Sequence, residues 1–337
     1  MRAAVLTSSD PTLDVVEVDD PEPGPGEALI EVTACGICGS DLHVATVFAP
    51  HGSILGHEIA GVVRAVGAGV DADRWKPGTP VAVRPLTGCG TCRHCQAGRS
   101  DHCESFALVG LQRPGGFAEL TTVDADELFA LPTSLTGDDQ ALVEPMAVAR
   151  RALRRAGLQA GEDVAVLGAG PIGLATIAWA RALGAGRILA SEPSAARRDL
   201  ALALGADFVV DPTAGPLFVG AAAQGFAQPP IVVECTGRPG LISDAMSFAD
   251  VDGRVCVVGI CTQEDTFVPY FGLAKEIDLR FSIYYGREDF TDTIDAFDDG
   301  TLDPRAMITE TIDLDRLPDR FAALAREPDG GKVVVRP

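Results

Sequence analysis

The stretch VAVLGAGPIGLATIAWARALGA, residues 164–185, reads as a strand, a glycine turn and a helix. Gly168, Gly170 and Gly173 stand in the G-x-G-x-x-G spacing, and Glu192 ends the strand that follows. The first glycine makes the tight turn, the second lets a pyrophosphate approach the backbone, and the third lets helix close on strand. The helix N-terminus adds amide donors and a positive dipole. Pro171, followed by Ile172, sits in the first turn, where a missing N–H is tolerated. A glycine triplet alone is weak evidence, since many strand-to-helix turns use glycine. The strand before it, the helix after it and the acid nineteen residues beyond Gly173 make it a dinucleotide site. Glu192 is expected to accept hydrogen bonds from the adenosine ribose and to repel a 2′-phosphate, which favours NAD. Arg197 or Arg198 could instead clamp that phosphate, so NADP stays an alternative.

Outward from this turn, VAVLG, RILAS, FVV, IVVEC, RVCVVG and DLRFSIYY are nearly apolar, and most are separated by Ala-rich helical stretches. Strands buried on both faces and alternating with helices predict a doubly wound parallel sheet over 146–285. Residues 1–145 differ: short runs such as ALIEVTA and GTPVAV are broken by PEPGPGE and PLTGCG, a pattern of strands and turns. The segment 286–337 carries two helical stretches and a terminal strand, KVVVRP. It is too small to fold alone and is expected to complete the first domain. The fold class is thus α/β, a β-rich domain joined to a nucleotide-type domain.

The chain has 337 residues, 47% hydrophobic and 22% charged, enough for two folded domains. Lys and Arg number 27 against 48 Asp and Glu, a formal charge of −21. Nucleic acid and anionic membranes would be repelled, and neither is expected as a partner. The start, MRAAVLTSSDP, lacks an apolar core, and no run reaches the ~18 apolar residues of a membrane span, so a cytoplasmic protein is expected. Nine cysteines are too few for a disulfide scaffold, and four of them fall within fifteen residues. That crowding suggests metal.

Cys89, Cys92, Cys95 and Cys103 form C-x2-C-x2-C-x7-C in a Gly-rich lobe. Four thiolates close a tetrahedral shell and predict a structural zinc; an iron–sulfur cluster or chance grouping are the alternatives. His94 and His102 lie inside the lobe and are expected to face solvent. A second, scattered set comprises Cys38, His57, Glu58 and Glu144. A thiolate, imidazole and carboxylate shell suits an open, catalytic zinc. One thiolate and one carboxylate leave Zn2+ neutral, whereas both glutamates would leave the site near −1, so one glutamate is expected to bind at a time. Cys35, Cys235, Cys256 and Cys261 read as small buried hydrophobes.

The motifs GICGSDLH, GHEIAGVVRAVGAGV, the four-cysteine lobe, VEPMAVARRAL and VAVLGAGPIG, in that order over essentially the whole chain, resemble the zinc-dependent medium-chain dehydrogenase/reductase family. The polyol and secondary-alcohol branch is the most similar, because Glu144 falls where the alcohol dehydrogenases proper carry cysteine. The resemblance implies a GroES-like catalytic domain, a Rossmann domain and two zinc ions per chain. It implies catalytic zinc on Cys38 and His57, with Glu58 and Glu144 as ligand or outer carboxylate. It assigns Asp41 to orienting the imidazole, and Ser40 and His43 to a proton relay. Thr236, Gly237, Val258, Gly259 and Ile260 are expected at the nicotinamide. The implied reaction is hydride transfer between a secondary alcohol or polyol and NAD(P), through an alkoxide on the metal, in a homodimer or homotetramer. An NADPH-dependent carbonyl reductase and a non-catalytic nucleotide-binding protein are the alternatives. The segment 44–56 looks short for the family, which leaves the pocket wall and the substrate open; Phe48, Phe106 and Tyr270 are candidate lining residues, and His51 reads as loop.

Overall fold

The computed structural model describes residues 1–7, 12–47 and 49–337, Val47 by its backbone alone. Phe48, a candidate lining residue, lies outside the described residues. The chain forms two compact units. One comprises Met1–Glu144, Gly286–Asp298 and Ile308–Pro337, and the other Pro145–Tyr285 and Asp299–Met307.

The second unit is built on six parallel strands in the spatial order Phe208–Val210, Ile188–Ser191, Val164–Leu167, Ile231–Glu234, Arg254–Val257 and Asp278–Phe281. The strands Val164–Leu167, Ile188–Ser191 and Ile231–Glu234 are buried at every residue, which is why they read as unbroken apolar runs. Strand order reverses beside Val164–Leu167, the position at which doubly wound sheets open a crevice for ligand. Helix Pro171–Ala182 follows, buried from Gly173 through Ala180. The sheet edge at Asp278–Phe281 is different, with its outer residues exposed.

The first unit carries a seven-stranded sheet. Its path runs Ile308–Asp313, Lys332–Arg336, Glu27–Gly36, Glu58–Val66, Pro80–Val83 and Leu128–Ala130, and Leu120–Asp124 also pairs with Glu27–Gly36. The long strand Glu27–Gly36 alternates inward and outward residues over most of its length. Strand Lys332–Arg336 joins it antiparallel, Val334 opposite Gly36 and Val335 opposite Cys35. Helix Leu317–Arg326 drops Phe321 into the core, edge-on to Phe117. Residues 299–307 do not follow the rest of the last segment. Their turn Arg305–Met307 packs on helices Pro171–Ala182 and Ala195–Ala203, where Met307 is fully buried. Among the described residues, no helix is long and apolar enough to cross a membrane.

Candidate metal and nucleotide sites

Strand Glu27–Gly36 delivers the chain to Cys38, and helix Gly39–Val47 begins directly after it. Strand Glu58–Val66 begins beside Gly36, its register partner, and brings His57 and Glu58 to the same place. Ligand atoms of Cys38, His57 and Glu58 lie within 4.8 Å of one another. Asp41, fully buried, turns back on this group. Its Oδ2 accepts the Cys38 amide at 2.9 Å, and its Oδ1 lies 3.1 Å from Nδ1 of His57. That contact makes Nδ1 the donor and leaves Nε2 free to bind a metal. Burial lowers the His57 pKa, but the charge and hydrogen bond of Asp41 outweigh it, and the pKa stands well above the ordinary value. Ser40 Oγ is 3.4 Å from His57 Nε2. His43 lies three residues further along the same helix, exposed to solvent.

Glu58 is wholly buried, and one of its oxygens, Oε2, has no hydrogen-bond partner. An orphaned oxygen on a buried carboxylate that groups with a thiol and an imidazole is what a cation would satisfy. The other oxygen, Oε1, accepts from Lys332 Nζ at 2.5 Å, and Nζ also donates to Ile37 O at 3.1 Å. Lys332 is equally buried. Burial lowers its pKa, but the charges of Glu58 and Cys38 lead the opposing effects, and the pKa is raised overall. The sequence reading contained no such cation. It changes the charge balance, because its positive charge would offset the second glutamate that one metal ion and one thiolate leave uncompensated. Glu144 lies in the first turn of helix Val143–Ala156, buried, near enough for its charge to raise the Lys332 pKa. It is not among the three residues whose ligand atoms converge.

The four cysteines of the lobe also converge, all within 4.8 Å. Their sulfurs collect backbone amides, Cys103 Sγ from Cys89 at 3.2 Å and from Ser105 at 3.3 Å, Cys89 Sγ from Cys92 at 3.3 Å. A hydroxyl contact from Thr91, with amide donors, lowers the Cys89 pKa to about 6, while burial and the neighbouring sulfurs push Cys95 to about 12. A cation would stabilise all four as thiolates. His94 is half-buried and His102 exposed, and neither joins the group. Elsewhere Cys35 and Cys256 are buried as expected, whereas Cys261 is partly exposed because it follows the strand end and its thiol turns to Gln263 O.

In the second unit Gly168 has φ of +92°, and a Cβ at Gly173 would stand 1.9 Å from Gly168 O. A Cβ at Gly170 would meet nothing within 4 Å, so the space above the second glycine is open, as a pyrophosphate requires. Glu192 is buried, its Oε2 accepting the Ala169 amide at 2.8 Å and its Oε1 that of Ser194 at 3.0 Å. It therefore grips the glycine turn from beneath while each oxygen keeps a lone pair. Arg198 is tied to the carbonyls of Glu192 and Pro193, both at 2.7 Å, and Arg197 lies in the first turn of helix Ala195–Ala203.

Thr236, Gly237, Val258, Gly259 and Ile260 gather around a residue that sequence reasoning passed over. Glu234 Oε1 accepts the amides of Thr236 at 2.6 Å and Gly237 at 2.9 Å, and its carbonyl accepts those of Val258 and Gly259. Its only signal was an acid at the buried end of an apolar strand. Of the other candidate lining residues, Phe106 is half-buried in the first unit and Tyr270 is exposed in the second.

Residues 24–133 match the alcohol dehydrogenase GroES-like domain and residues 171–299 the zinc-binding dehydrogenase family. The chain is 34% identical over 333 residues to 2-dehydro-3-deoxy-L-galactonate 5-dehydrogenase of Pseudoalteromonas atlantica, covering 96% of this chain and 95% of that one. The crystal structure of a short chain alcohol dehydrogenase from Escherichia coli CFT073 with NADH superimposes with a TM-score of 0.92 at 26% identity, over 100% of this chain and 99% of that one. A zinc-binding dehydrogenase of Sinorhizobium meliloti bound to NADP gives a TM-score of 0.92 at 32% identity, with the same coverage. The chain belongs to the zinc-dependent medium-chain dehydrogenase/reductase family, and it is an NAD(P)-linked oxidoreductase that acts on alcohols or polyols.

Proposed function

We propose that the enzyme interconverts a secondary alcohol of polyol type and its ketone at zinc held by Cys38, His57 and Glu58, with Glu144 as the exchanging or outer carboxylate. The carrying observation is the convergence of Cys38, His57 and Glu58, together with a buried Glu58 oxygen, Oε2, that lacks a hydrogen-bond partner. Zinc held there would lower the pKa of the substrate hydroxyl, and a bound nicotinamide would supply the hydride acceptor. Asp41 keeps the His57 ring in one tautomer. Ser40 takes the hydroxyl proton and passes it to His43, whose exposure lets it reach water. A second zinc, held by Cys89, Cys92, Cys95 and Cys103, stiffens the lobe.

NAD is the proposed cofactor, because Glu192 lies under the turn and Arg198 is already engaged by carbonyls. Thr236 and Val258 to Ile260 face the nicotinamide, held by Glu234. The chain pairs as a homodimer through the sheet edge Asp278–Phe281. Phe281 is 59% exposed there, and Tyr270 and Leu273 on helix Pro269–Lys275 are 67% and 74% exposed. Reduced thiols in the lobe suit the cytoplasm.

The test is NADH formation from a panel of secondary alcohols, polyols and 3-hydroxy amino acids, with chelator-treated enzyme and Cys38→Ser as controls. Activity with one class, abolished by both controls, is expected. Activity undiminished in Cys38→Ser would overturn the assignment.

A further inference from the structure

We infer that Lys332 is a positioning residue for the metal: it holds Glu58 by Oε1 so that Oε2 is presented to the ion. The inference rests on the zinc site proposed above. Three neighbouring strands build the arrangement. Glu58 and Val334 are both register partners of Gly36, so the terminal strand, the long central strand and strand Glu58–Val66 meet at this point. Lys332 Nζ spans from Glu58 Oε1 to Ile37 O, and Ile37 N donates to Val333 O at 2.9 Å, which fixes the lysine's strand to the segment leading into Cys38.

Gly36 completes the geometry. A Cβ there would stand 1.9 Å from Glu58 Oε2, so the glycine leaves the room that this oxygen occupies. One oxygen is thus fixed by an ammonium group and the other is free of every protein donor. A carboxylate held this way cannot turn both oxygens inward, and it can offer the metal one ligand atom without exposing an uncompensated charge. A purely structural ion pair would have satisfied both oxygens or lain away from the thiol and imidazole.

The test is zinc content per chain and the rate of zinc release to a chelator, measured on wild type, Lys332→Met and Lys332→Gln, together with a crystal structure of the zinc-loaded wild type. The expected result is two zinc ions in wild type and release of one of them accelerated about 10- to 100-fold in the variants, the range found when a ligand's outer partner is removed. The lobe zinc should be retained. In the crystal structure, Oε2 should face the metal while Lys332 stays on Oε1; this observation stands even if neither variant folds. Folded variants that release zinc at the wild-type rate, or a loaded wild type with Oε2 turned away from a metal still on Cys38 and His57, would overturn the inference alone. A wild type with no zinc on Cys38 and His57 would overturn the underlying site as well.

Discussion

Asp41 Oδ1 and His57 Nδ1 lie 3.1 Å apart, and the same carboxylate accepts the amides of Cys38 at 2.9 Å and of Gly56, the residue before His57, at 3.3 Å. One side chain thus sets the ring of one proposed ligand and the backbone of another. Asp41→Ala should lower zinc affinity and kcat/KM by about 10- to 100-fold, and Asp41→Asn by less, because an amide oxygen can still accept from Nδ1. Competition with a chromophoric chelator measures the first and initial rates the second. Wild-type zinc affinity in Asp41→Ala would refute the role.

Cys92→Ser should act on stability before chemistry. With one thiolate gone from the lobe, the variant should hold one zinc fewer per chain and lose several kcal/mol, at roughly 2–4 °C of melting midpoint per kcal/mol for a domain of this size. Zinc content and a thermal scan check it, and an unchanged midpoint would count against a structural metal.

The roles of the second and third glycines of the turn separate cleanly. Gly173→Ala puts a Cβ on Gly168 O and should destabilise the second unit, whereas Gly170→Ala fills open space and should fold normally while raising KM for the dinucleotide. Melting curves and cofactor titrations distinguish them; a wild-type KM in Gly170→Ala would remove the pyrophosphate from this turn.

Glu192→Ser should reduce the preference for NAD over NADP at least about tenfold, equivalent to about 1.4 kcal/mol of lost repulsion and ribose bonding. The ratio of kcat/KM for the two cofactors reports it. No change in that ratio would contradict the proposed ribose contact.

Leu273→Glu, placed in the exposed apolar patch of helix Pro269–Lys275, should convert the proposed dimer to monomer in light scattering, without lowering the melting midpoint of the dilute protein. A dimer of unchanged affinity would mean that association uses another face.

Much of the second unit could be read directly, because fully buried parallel strands have no polar face to obscure them, as in VAVL and IVVE. The grouping of the four cysteines of the lobe was equally clear, since they lie close in sequence. The scattered site was legible only as a pattern of types. The grouping of Cys38 with His57 could be anticipated, but Lys332 could not, because GGKVVVRP looks like an ordinary strand entry and nothing local marks its ammonium group as buried. Glu234 was missed for a similar reason: its bonds go to backbone amides, which sequence does not display. The split at 299–307 goes with Leu302 and Met307, two buried apolar residues in a short, mostly polar stretch.

Strand Lys332–Arg336 closes the first sheet against a segment made far earlier, Lys332 meeting Ile37 across 295 residues. A nascent chain therefore carries the Cys38, His57 and Glu58 cluster unfinished throughout synthesis of the entire second unit. Contacts so distant in sequence form late and slowly, and transiently open strand edges invite misassembly. If Lys332 holds Glu58 for the metal as proposed, firm retention of that zinc waits for strand Lys332–Arg336, which ties it to a segment made after the second unit rather than to folding of the residues that bind it.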